Sequence, residues 1–430
     1  MKNKRDRLFF TQLFVPQASQ SSYDRRTELE VLFAIPSAQS ACGMEIRMRV
    51  IAFYLPQYYS FPENDKWWGK GFTEWTNVKK SKPLYKGHYQ PTVPLNENYY
   101  CLENKEVFEW QIELAKKYRI YGFCFYHYWM GEGRQLMQKP VEMYLQNKDL
   151  DFPFCISWAN HNWARTWTGG DQDILMDVRY GDELEWEKHF QYLLEYFKDK
   201  RYIKYDDKPV LVIYQPERID RLHDMLAYFN NRAKEEGIGG ITFISQAQTY
   251  VLGKHGNNDD LIKYSILYEP DFTKSEFIMK NKAAVLFESL FDSPHFAVNM
   301  LCQEMKKVLH KYILKNNEKL GLTVYDYDAF WKRILNRKID DLRYVPGAFV
   351  TYDTSPRKGY RGIVTKGFTI EKFKGYFTQL LRKTENEFKK DIVFMMAWNE
   401  WGEGAYLEPD EKNGYAVLES IKEALDTYKG

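Results

Sequence analysis

The stretch Ile392–Trp398 reads IVFMMAW, an unbroken apolar run that suits a strand buried on both faces. Polar residues follow at once, beginning with Asn399 and Glu400. Seven similar runs precede it, and segments with apolar residues at the helical period lie between them. The eight predicted strands are Val50–Leu55, Tyr121–Tyr126, Phe154–Trp158, Val210–Tyr214, Ile241–Gln246, Ile266–Glu269, Gly347–Thr351 and Ile392–Trp398. Eight such strands with covering helices are typical of a single (β/α)8 barrel, and no G-x-G-x-x-G motif follows the first strand to favour a dinucleotide-binding sheet.

Two long segments interrupt the alternation of strands and helices. One is the loop after strand one, Pro56–Leu102, and the other is an insertion from about Asp271 to Pro346, before strand seven. The insertion contains two helix-like stretches, Ala297–Lys315 and Tyr327–Arg337. The other predicted helices are Lys105–Tyr118, Glu183–Lys198, Arg221–Glu236, Ile370–Phe388 and Ala416–Tyr428. A chain of 430 residues accommodates one barrel with these additions.

Charge and composition exclude several classes of protein. The 61 Lys and Arg residues nearly balance the 59 Asp and Glu residues, so a net charge of +2 supplies no global attraction to nucleic acid or to an anionic membrane. No apolar stretch reaches the roughly 18 residues that a membrane-spanning helix needs. Aromatic residues make up 17% of the chain, which suits a sugar-binding cleft because the C–H face of a pyranose packs on an aromatic ring. We therefore expect an oligosaccharide or polysaccharide as partner, with no nucleic acid and no membrane insertion; the sequence does not indicate the oligomeric state.

Residues 1–47 precede the regular pattern. Their short basic and apolar start makes a poor secretion signal, and the rest is polar and patternless. We expect residues 1–47 to be an extension that is disordered or lies upstream of the natural start, and residues 48–430 to form the barrel. The five cysteines are scattered and form neither a disulfide framework nor a zinc site. We therefore expect a cytoplasmic location, with export to the periplasm as the alternative.

Aromatic and polar residues cluster after the predicted strands and in the first loop. In a (β/α)8 barrel the C-terminal ends of the strands meet at one mouth, into which the functional side chains project. We predict sugar-binding side chains at Tyr54, Trp75, Tyr126, His127, Trp129, Trp158, Asn160, Trp163, Asn399 and Trp401. Single His and Trp residues at such positions also occur as packing residues, so the prediction depends on position more than on residue type.

Glu400 and Glu403 are the strongest candidates for catalysis. They lie beside tryptophans directly after a buried strand, where two carboxyl groups can differ in solvation and therefore in pKa. One can stay protonated as an acid while the other acts as a base, which is the arrangement that glycoside cleavage uses. The alternative is a solvated loop with two surface glutamates. Gly402 and Gly404 would allow a tight turn of the backbone beneath a ligand.

The sequence does not indicate metal or cofactor chemistry. No recognisable metal-ligand spacing, Walker loop or nucleophile elbow occurs. Asp171 and Asp173 form a D-x-D pattern of the kind by which many glycosyltransferases hold a metal and a nucleotide sugar, but a pattern of three residues arises readily by chance. We therefore expect activity without a metal and without a cofactor.

With these residues assembled, the sequence resembles the WbsX-type proteins of bacterial polysaccharide gene clusters, which are similar to glycoside hydrolase family 99, the endo-α-mannosidases. The matching stretches span about residues 48–428 and are Ala52–Tyr58, Gly71–Val78, His88–Pro91, Tyr126–Trp129, Ser157–Asn160, Asp207–Val210, Ala397–Gly404 and Leu407–Asp410. The similarity to family 99 itself rests mainly on the Asn-Glu-Trp-x-Glu-Gly motif at residues 399–404.

The resemblance implies a (β/α)8 barrel and a retaining mechanism in which the substrate's own 2-hydroxyl takes part. Glu400 would be the base that deprotonates this hydroxyl, and Glu403 would be the acid that protonates the leaving oxygen. A 1,2-anhydro sugar would form, and water would open it with the roles reversed. The sequence departs from the WbsX-type pattern at His161 and Thr168, where acidic residues are expected, and these departures concern the identity of the substrate.

Two functions are consistent with the sequence. The first is an endo-acting, retaining glycoside hydrolase on α-linked, mannose-like sugars. The second is a glycosyltransferase in lipopolysaccharide, O-antigen or capsule biosynthesis, the role attached to WbsX-type proteins by gene neighbourhood. The two-carboxylate motif and the lack of a phosphate-binding loop in the sequence favour the hydrolase, whereas a cytoplasmic location favours the transferase. The intact glutamate pair argues against a sugar-binding protein without activity.

Overall fold

A closed parallel barrel forms the framework of the protein, as the sequence predicts. The computed structural model describes residues 48–164, 174–248, 259–279 and 322–428. The barrel strands are β1 (Arg49–Tyr54), β2 (Gly122–Gly131), β3 (Phe154–Trp158), β4 (Lys208–Ile213), β5 (Thr242–Ala247), β6 (Ile262–Leu267), β7 (Tyr344–Phe349) and β8 (Ile392–Met396). Each strand pairs in parallel with the next, and β1 pairs with both β2 and β8, which closes the barrel.

Helices cover the barrel and occupy its loops. They are α1 (Pro62–Trp68), α2 (Glu74–Lys80), α3 (Lys105–Lys117), α4 (Gln138–Gln146), α5 (Glu183–Phe197), α6 (Leu222–Glu235), α7 (Asp271–Met279), α8 (Tyr327–Asn336), α9 (Ser355–Lys358), α10 (Ile370–Lys383) and α11 (Ala416–Thr427). Polar side chains begin several of them: Asp182 accepts a hydrogen bond from the amide of Leu184 in α5, and Thr369 from that of Lys372 in α10. Such caps satisfy amides that have no partner within the helix.

The predicted strands and helices match the observed ones closely, with two instructive differences. β2 continues past Tyr126 to Gly131 because its end pairs with Arg134–Leu136 in a hairpin. β6 begins at Ile262, four residues before the predicted start. In its first half an exposed Lys263 separates buried residues, so this part alternates instead of being continuously apolar.

Side chains along each strand alternate between the barrel interior and the layer that faces the helices. In β1 the ring of Phe53 faces inward and lies 5.5 Å, centroid to centroid, from the rings of Tyr126 and Phe394. The next residue, Tyr54, faces outward, with its ring 5.9 Å from Phe108 of α3. This alternation decides which residues near the strand ends can reach a ligand at the mouth.

Some predictions concern residues outside the described ranges. They are the extension at residues 1–47, the helix-like stretch Ala297–Lys315, the pair Asp171 and Asp173, and the departure at Thr168, and they stay predictions. Of the helices in the described ranges, none is both long and apolar enough to span a bilayer.

Candidate active site

Glu400 and Glu403 lie in a short loop that folds back on the end of β8. In this loop Asn399 and Glu400 pair with Ala405–Tyr406 as a small antiparallel ribbon. The side-chain amide of Asn399 accepts a hydrogen bond from the backbone amide of Leu55 at 2.8 Å and donates one to the carbonyl of Leu55 at 3.0 Å. The loop is therefore fixed to the end of β1, at the seam where the first and last strands meet.

A single guanidinium binds both glutamates. Arg357 donates from Nη2 to Glu400 at 2.5 Å and from Nη1 to Glu403 at 2.6 Å. Its Nε donates to a third carboxylate, Glu74, at 2.8 Å. Because a guanidinium presents its donors in a fixed plane, the three carboxylates converge on one small volume.

Three separate loops supply this cluster. Glu74 begins α2 in the loop after β1, Arg357 lies on α9 after β7, and the other two carboxylates follow β8. Parallel strands end at the same mouth, which is how Glu74 and Arg357 meet although they are 283 positions apart.

The two glycines of the loop permit the close approach of neighbouring chains. A Cβ on Gly402 would lie 1.9 Å from Oε1 of Glu74 and 2.8 Å from Nε of Arg357. Gly404 has a φ of 60°, and a Cβ there would lie 2.9 Å from the Cβ of Asp353. Only glycine fits at residue 402 without displacing the carboxylate and the guanidinium beside it.

The cluster contains three carboxylates and one positive charge. Burial is the main cause that raises the pKa of Glu400, to about 8; Arg357 lowers it, whereas Glu403 and Glu74 raise it. Burial alone would lower the pKa of Arg357, but the three carboxylates outweigh it and hold that pKa well above its usual range. With carboxylates in excess, the buried cluster retains a proton near neutral pH, which the coupled carboxyl groups share.

The two candidate catalytic glutamates differ in access to solvent. The side chain of Glu400 is 8% exposed, whereas that of Glu403 is 22% exposed. Glu403 is therefore the carboxyl group nearer to the opening.

Asp353 braces the loop from the side of β7. Its backbone amide donates to the carbonyl of Glu403 at 2.6 Å, and its carboxylate lies 2.7 Å from Nε2 of His88. The amide of Leu84 donates to Nδ1 of His88, so Nε2 carries the proton and donates to Asp353. Burial would raise the pKa of Asp353, but hydrogen bonds from His88, Ser355 and Gln90 lower it below its usual range. The brace is thus an ionised carboxylate held by hydrogen-bond donors.

Tyrosines line the barrel interior next to the carboxylates. The hydroxyls of Tyr126 and Tyr268 are 2.9 Å apart. Burial raises the pKa of Tyr214, with Glu403 among the further causes, and burial followed by the charge of Glu400 raises that of Tyr128. These phenols stay protonated at neutral pH and can exchange hydrogen bonds with sugar hydroxyls.

His161, one of the departures from the WbsX-type pattern, lies against the same tyrosines. Its ring centroid is 5.1 Å from that of Tyr214 and 6.5 Å from that of Tyr128. Burial, together with the charge of Arg218, lowers its pKa to about 4. Within the described residues its Nδ1 has no hydrogen-bond partner. The departure therefore places a neutral imidazole beside the tyrosines of the interior.

Three residues predicted to bind sugar face the helices instead. Nε2 of His127 lies 3.0 Å from Nε2 of His189 on α5, and Nε1 of Trp129 donates to Glu185 of the same helix at 2.9 Å. The ring of Trp158 lies 4.7 Å from that of His189. Burial lowers the pKa of His127 to about 3. These residues occupy the outward positions of strands whose inward positions face the interior, so their placement does not favour a sugar contact, which stays an untested prediction.

Tyr54 and Asn160 also have structural roles. The hydroxyl of Tyr54 donates to Gln111 of α3 at 2.7 Å, within the layer between barrel and helix. Asn160 accepts from the amide of Gln215 and donates to its carbonyl, both at 2.7 Å, and thereby joins two loops. Both side chains are engaged by protein groups, so their placement does not favour a sugar contact, which stays a prediction.

Trp75, Asn399 and Trp401 support the catalytic loop without facing the mouth. Nε1 of Trp75 donates to the carbonyl of Tyr100 at 2.8 Å, and its ring lies 5.5 Å from that of Trp401. Nε1 of Trp401 donates to Glu408 at 2.6 Å. Burial raises the pKa of Glu408 to about 7. The three side chains pack beneath the loop, and their contact with sugar stays a prediction that this placement does not favour.

Two of the residues predicted to contact sugar, Tyr126 and Trp163, have side chains placed where a sugar contact is favoured. Tyr126 faces the barrel interior, as described above, and Trp163 is half-buried, with its ring 5.4 Å from Tyr128 and 6.3 Å from Trp67. A pair of aromatic rings beside an inward tyrosine suits a sugar face. Their contact with a ligand stays a prediction.

The sequence analysis missed Arg357, Glu74 and Asp353. Glu74 stands within a stretch that carries the family resemblance, so it was visible there. Arg357 and Asp353 follow β7, so their position just after a barrel strand is the sequence signal that points to them.

One group in the described ranges has metal-like spacing: His223, Asp259 and Asp260. His223 and Asp260 are exposed, and exposed acidic groups of this kind are common without a metal. The group shares no residue with the carboxylate cluster.

The comparison with protein families now places the chain among known proteins. The family model described as "Glycosyltransferase WbsX" matches residues 50–421. The protein WxcX of Xanthomonas campestris pv. campestris strain B100 is 31% identical over 380 residues, which are 87% of this chain and 49% of WxcX. WxcX of strain ATCC 33913 matches over the same shares at 31% identity. The chain spans about half the length of the curated relatives it matches.

Solved structures with a similar fold include the GH99 endo-alpha-mannosidase from Bacteroides thetaiotaomicron, at a TM-score of 0.49 and 12% identity, with 90% of this chain and 98% of that chain covered. A glycoside hydrolase-like protein gives a TM-score of 0.49 at 13% identity, with coverage of 89% and 95%. Membership rests on the family model, which covers most of the chain. The chain therefore belongs to the WbsX family, whose model is described as a glycosyltransferase.

Proposed function

We propose that this protein is a retaining glycoside hydrolase that cleaves an α-linked, mannose-like glycan within the chain. The observation that carries the proposal is the guanidinium of Arg357, which binds Glu400 and Glu403 at 2.5 and 2.6 Å. Two carboxyl groups that converge on one volume can act on the two sides of a glycosidic bond, which a pair of solvated surface glutamates cannot do.

Glu400 is the proposed base. Its pKa of about 8 makes it, once ionised, a stronger base than an exposed glutamate. It takes the proton of the sugar's 2-hydroxyl, whose oxygen then attacks the anomeric carbon as the bond to the leaving oxygen breaks. Arg357 stabilises the ionised form of Glu400 and holds the carboxylate in place.

Glu403 is the proposed acid, so in the reactive state the proton of the cluster lies on Glu403 and Glu400 is ionised. Its greater exposure suits the group that gives a proton to the departing glycan and later meets water at the opening. In the second step Glu403 takes a proton from that water, the water oxygen attacks the anomeric carbon, and Glu400 returns its proton to the 2-oxygen. The 1,2-anhydro ring opens, and two inversions give overall retention.

The roles are separable with two substrates, an oligosaccharide and an activated aryl α-glycoside. In Glu403→Gln the oligosaccharide should lose about 10²–10⁴-fold in kcat/KM, while the aryl glycoside, whose leaving group needs no proton, should lose much less. In Glu400→Gln both substrates should lose activity. Equal losses in Glu403→Gln, or an active Glu400→Gln, would contradict the assignment.

The participation of the 2-hydroxyl has its own test in the unaltered enzyme. A substrate with hydrogen or fluorine in place of that hydroxyl should not turn over, because the nucleophile is missing. Turnover of the 2-deoxy substrate would exclude this route and would leave direct attack by a carboxylate or by water.

The description of the family model favours a second candidate, a glycosyltransferase of surface-polysaccharide assembly. Such an enzyme would transfer a sugar from a nucleotide sugar and would commonly need a divalent metal. Hydrolysis that survives chelation by EDTA supports the hydrolase. Transfer from a nucleotide sugar that EDTA abolishes and manganese restores supports the transferase and directs attention to Asp171 and Asp173.

A further inference from the structure

Two basic segments lie side by side next to the carboxylate cluster. Residues 79–88 contain Lys79, Lys80, Lys82 and Lys86, and residues 354–366 contain Arg357, Lys358, Arg361 and Lys366, with no Asp or Glu in either segment. We call these two segments, without Arg357, the basic rim. Its seven positive side chains contrast with a chain whose net charge is only +2, so the charge is concentrated locally.

Direct contacts join the two segments. Nζ of Lys366 lies 3.5 Å from the centroid of the Tyr85 ring. His88 and Gln90, which end and follow the first segment, both bind the carboxylate of Asp353, which precedes the second, at 2.7 and 2.8 Å. The rim is therefore one surface in the folded protein, although its halves are far apart in sequence.

The rim adjoins the site and faces solvent. Lys79 and Lys80 follow Glu74 along α2 by five and six residues, a rise of roughly 8–9 Å. Lys358 directly follows Arg357 on α9. Lys79, Lys80, Lys82, Lys86 and Arg361 are exposed, and Lys358 and Lys366 are half-buried. Charges at this distance act across about one Debye length at physiological ionic strength.

We infer that the basic rim binds acidic groups, such as carboxylates or phosphates, on the glycan that enters the site. Because the rim touches the catalytic cluster, a glycan chain that extends beyond the scissile bond runs across it. The three carboxylates of the cluster outnumber its one guanidinium, so the cluster disfavours anions at the point of cleavage, and the acidic groups lie further along the chain. The inference rests on the proposed function only for the route by which the glycan enters.

Carboxymethyl dextran and unmodified dextran of equal length are suitable probes, since they differ only in charge. The full-length protein should bind the carboxymethyl form more tightly by calorimetry, and added NaCl should remove the difference. In Lys82→Glu/Lys86→Glu the affinity for carboxymethyl dextran should fall about tenfold, with dextran unaffected. The neutral pair Lys82→Gln/Lys86→Gln should fall by a smaller factor.

A matched control reverses two lysines at the other end of the barrel. Lys116 and Lys234 are exposed near the C-terminal ends of α3 and α6, which return the chain to the start of the next strand. Lys116→Glu/Lys234→Glu carries the same change in net charge and should keep the wild-type affinity. Equal binding of the two dextrans, an equal loss in the control, or tighter binding of a single-stranded oligonucleotide than of carboxymethyl dextran would overturn the inference.

The hydrolase proposal fails separately. Glu400→Gln should keep the charge-dependent binding while it loses cleavage, which supports the rim. If the wild-type protein shows charge-dependent binding but cleaves neither neutral nor acidic glycans, the rim stands and the hydrolase proposal falls.

Discussion

The proton on Glu400 should be detectable as a pH-dependent difference in stability between the protein and Glu400→Gln. The pKa of this carboxyl group rises from an ordinary 4.5 to about 8 in the folded protein, chiefly through burial. Between those two values the folded chain keeps a proton that the unfolded chain has lost. The wild-type protein should therefore lose stability as the pH rises through this interval, whereas Glu400→Gln has no such titration.

The size of the effect follows from the shift. At about 1.4 kcal/mol per pKa unit, the shift changes the free energy of unfolding by at most about 5 kcal/mol. Rearrangement of Arg357 reduces this change to a few kcal/mol. Glutamine also forfeits the close contact between the Glu400 carboxyl group and Arg357, and this loss lowers the stability of the variant alone. The quantity to measure is therefore the free energy of unfolding of Glu400→Gln minus that of the wild type. This difference should increase as the pH rises.

Urea unfolding from about pH 5 to about pH 9 supplies the measurement. The matched control is Glu113→Gln, which alters an exposed glutamate on α3. Its stability difference from the wild type should stay flat. A flat difference for Glu400→Gln would refute the account of a protonated carboxyl group in the cluster, and a falling one would show that the cluster holds Glu400 ionised.

The remaining predictions concern packing around the cluster. Gly402→Ala should lower kcat/KM by about 10²-fold with the circular dichroism spectrum unchanged, because its Cβ displaces Glu74; more than half of the wild-type activity would contradict this. His88→Ala should lower kcat more than it raises KM, by releasing the brace on the loop, and a pure KM effect would point to a ligand contact instead. Trp163→Ala should raise KM with little change in the melting temperature. Trp129→Ala should instead destabilise the fold by about 3–5 kcal/mol. The reverse pattern would favour Trp129 over Trp163 as the sugar contact.

The strands were predictable because a strand that is buried on both faces has a continuous run of apolar residues in the sequence. Phe154–Trp158 matches the observed β3 at both ends for this reason. The direction of each side chain was not predictable from the run, since outward and inward positions are equally apolar. Trp129 and Tyr128 are adjacent and both buried, yet one packs on α5 and the other faces the interior.

The cluster itself was only half visible in the sequence. Glu400 and Glu403 were predictable from their position after an apolar strand and from the glycines between and after them. Arg357 is separated from them by 43 and 46 residues, and no local pattern relates the two places. Partners of this kind are set by the closure of the barrel, which brings the ends of β1, β7 and β8 to one mouth.

The attachment of Asn399 to Leu55 has a consequence for how activity arises during synthesis. These hydrogen bonds join the end of β1, the first barrel strand to be synthesised, to the loop after β8, the last. A chain that ends before β8 contains Glu74 and Arg357 but neither candidate catalytic glutamate. In a complete chain whose strands β1 and β8 have not yet paired, those glutamates are not yet held beside Arg357. If Glu400 and Glu403 are the catalytic pair, activity should therefore appear only once the barrel has closed.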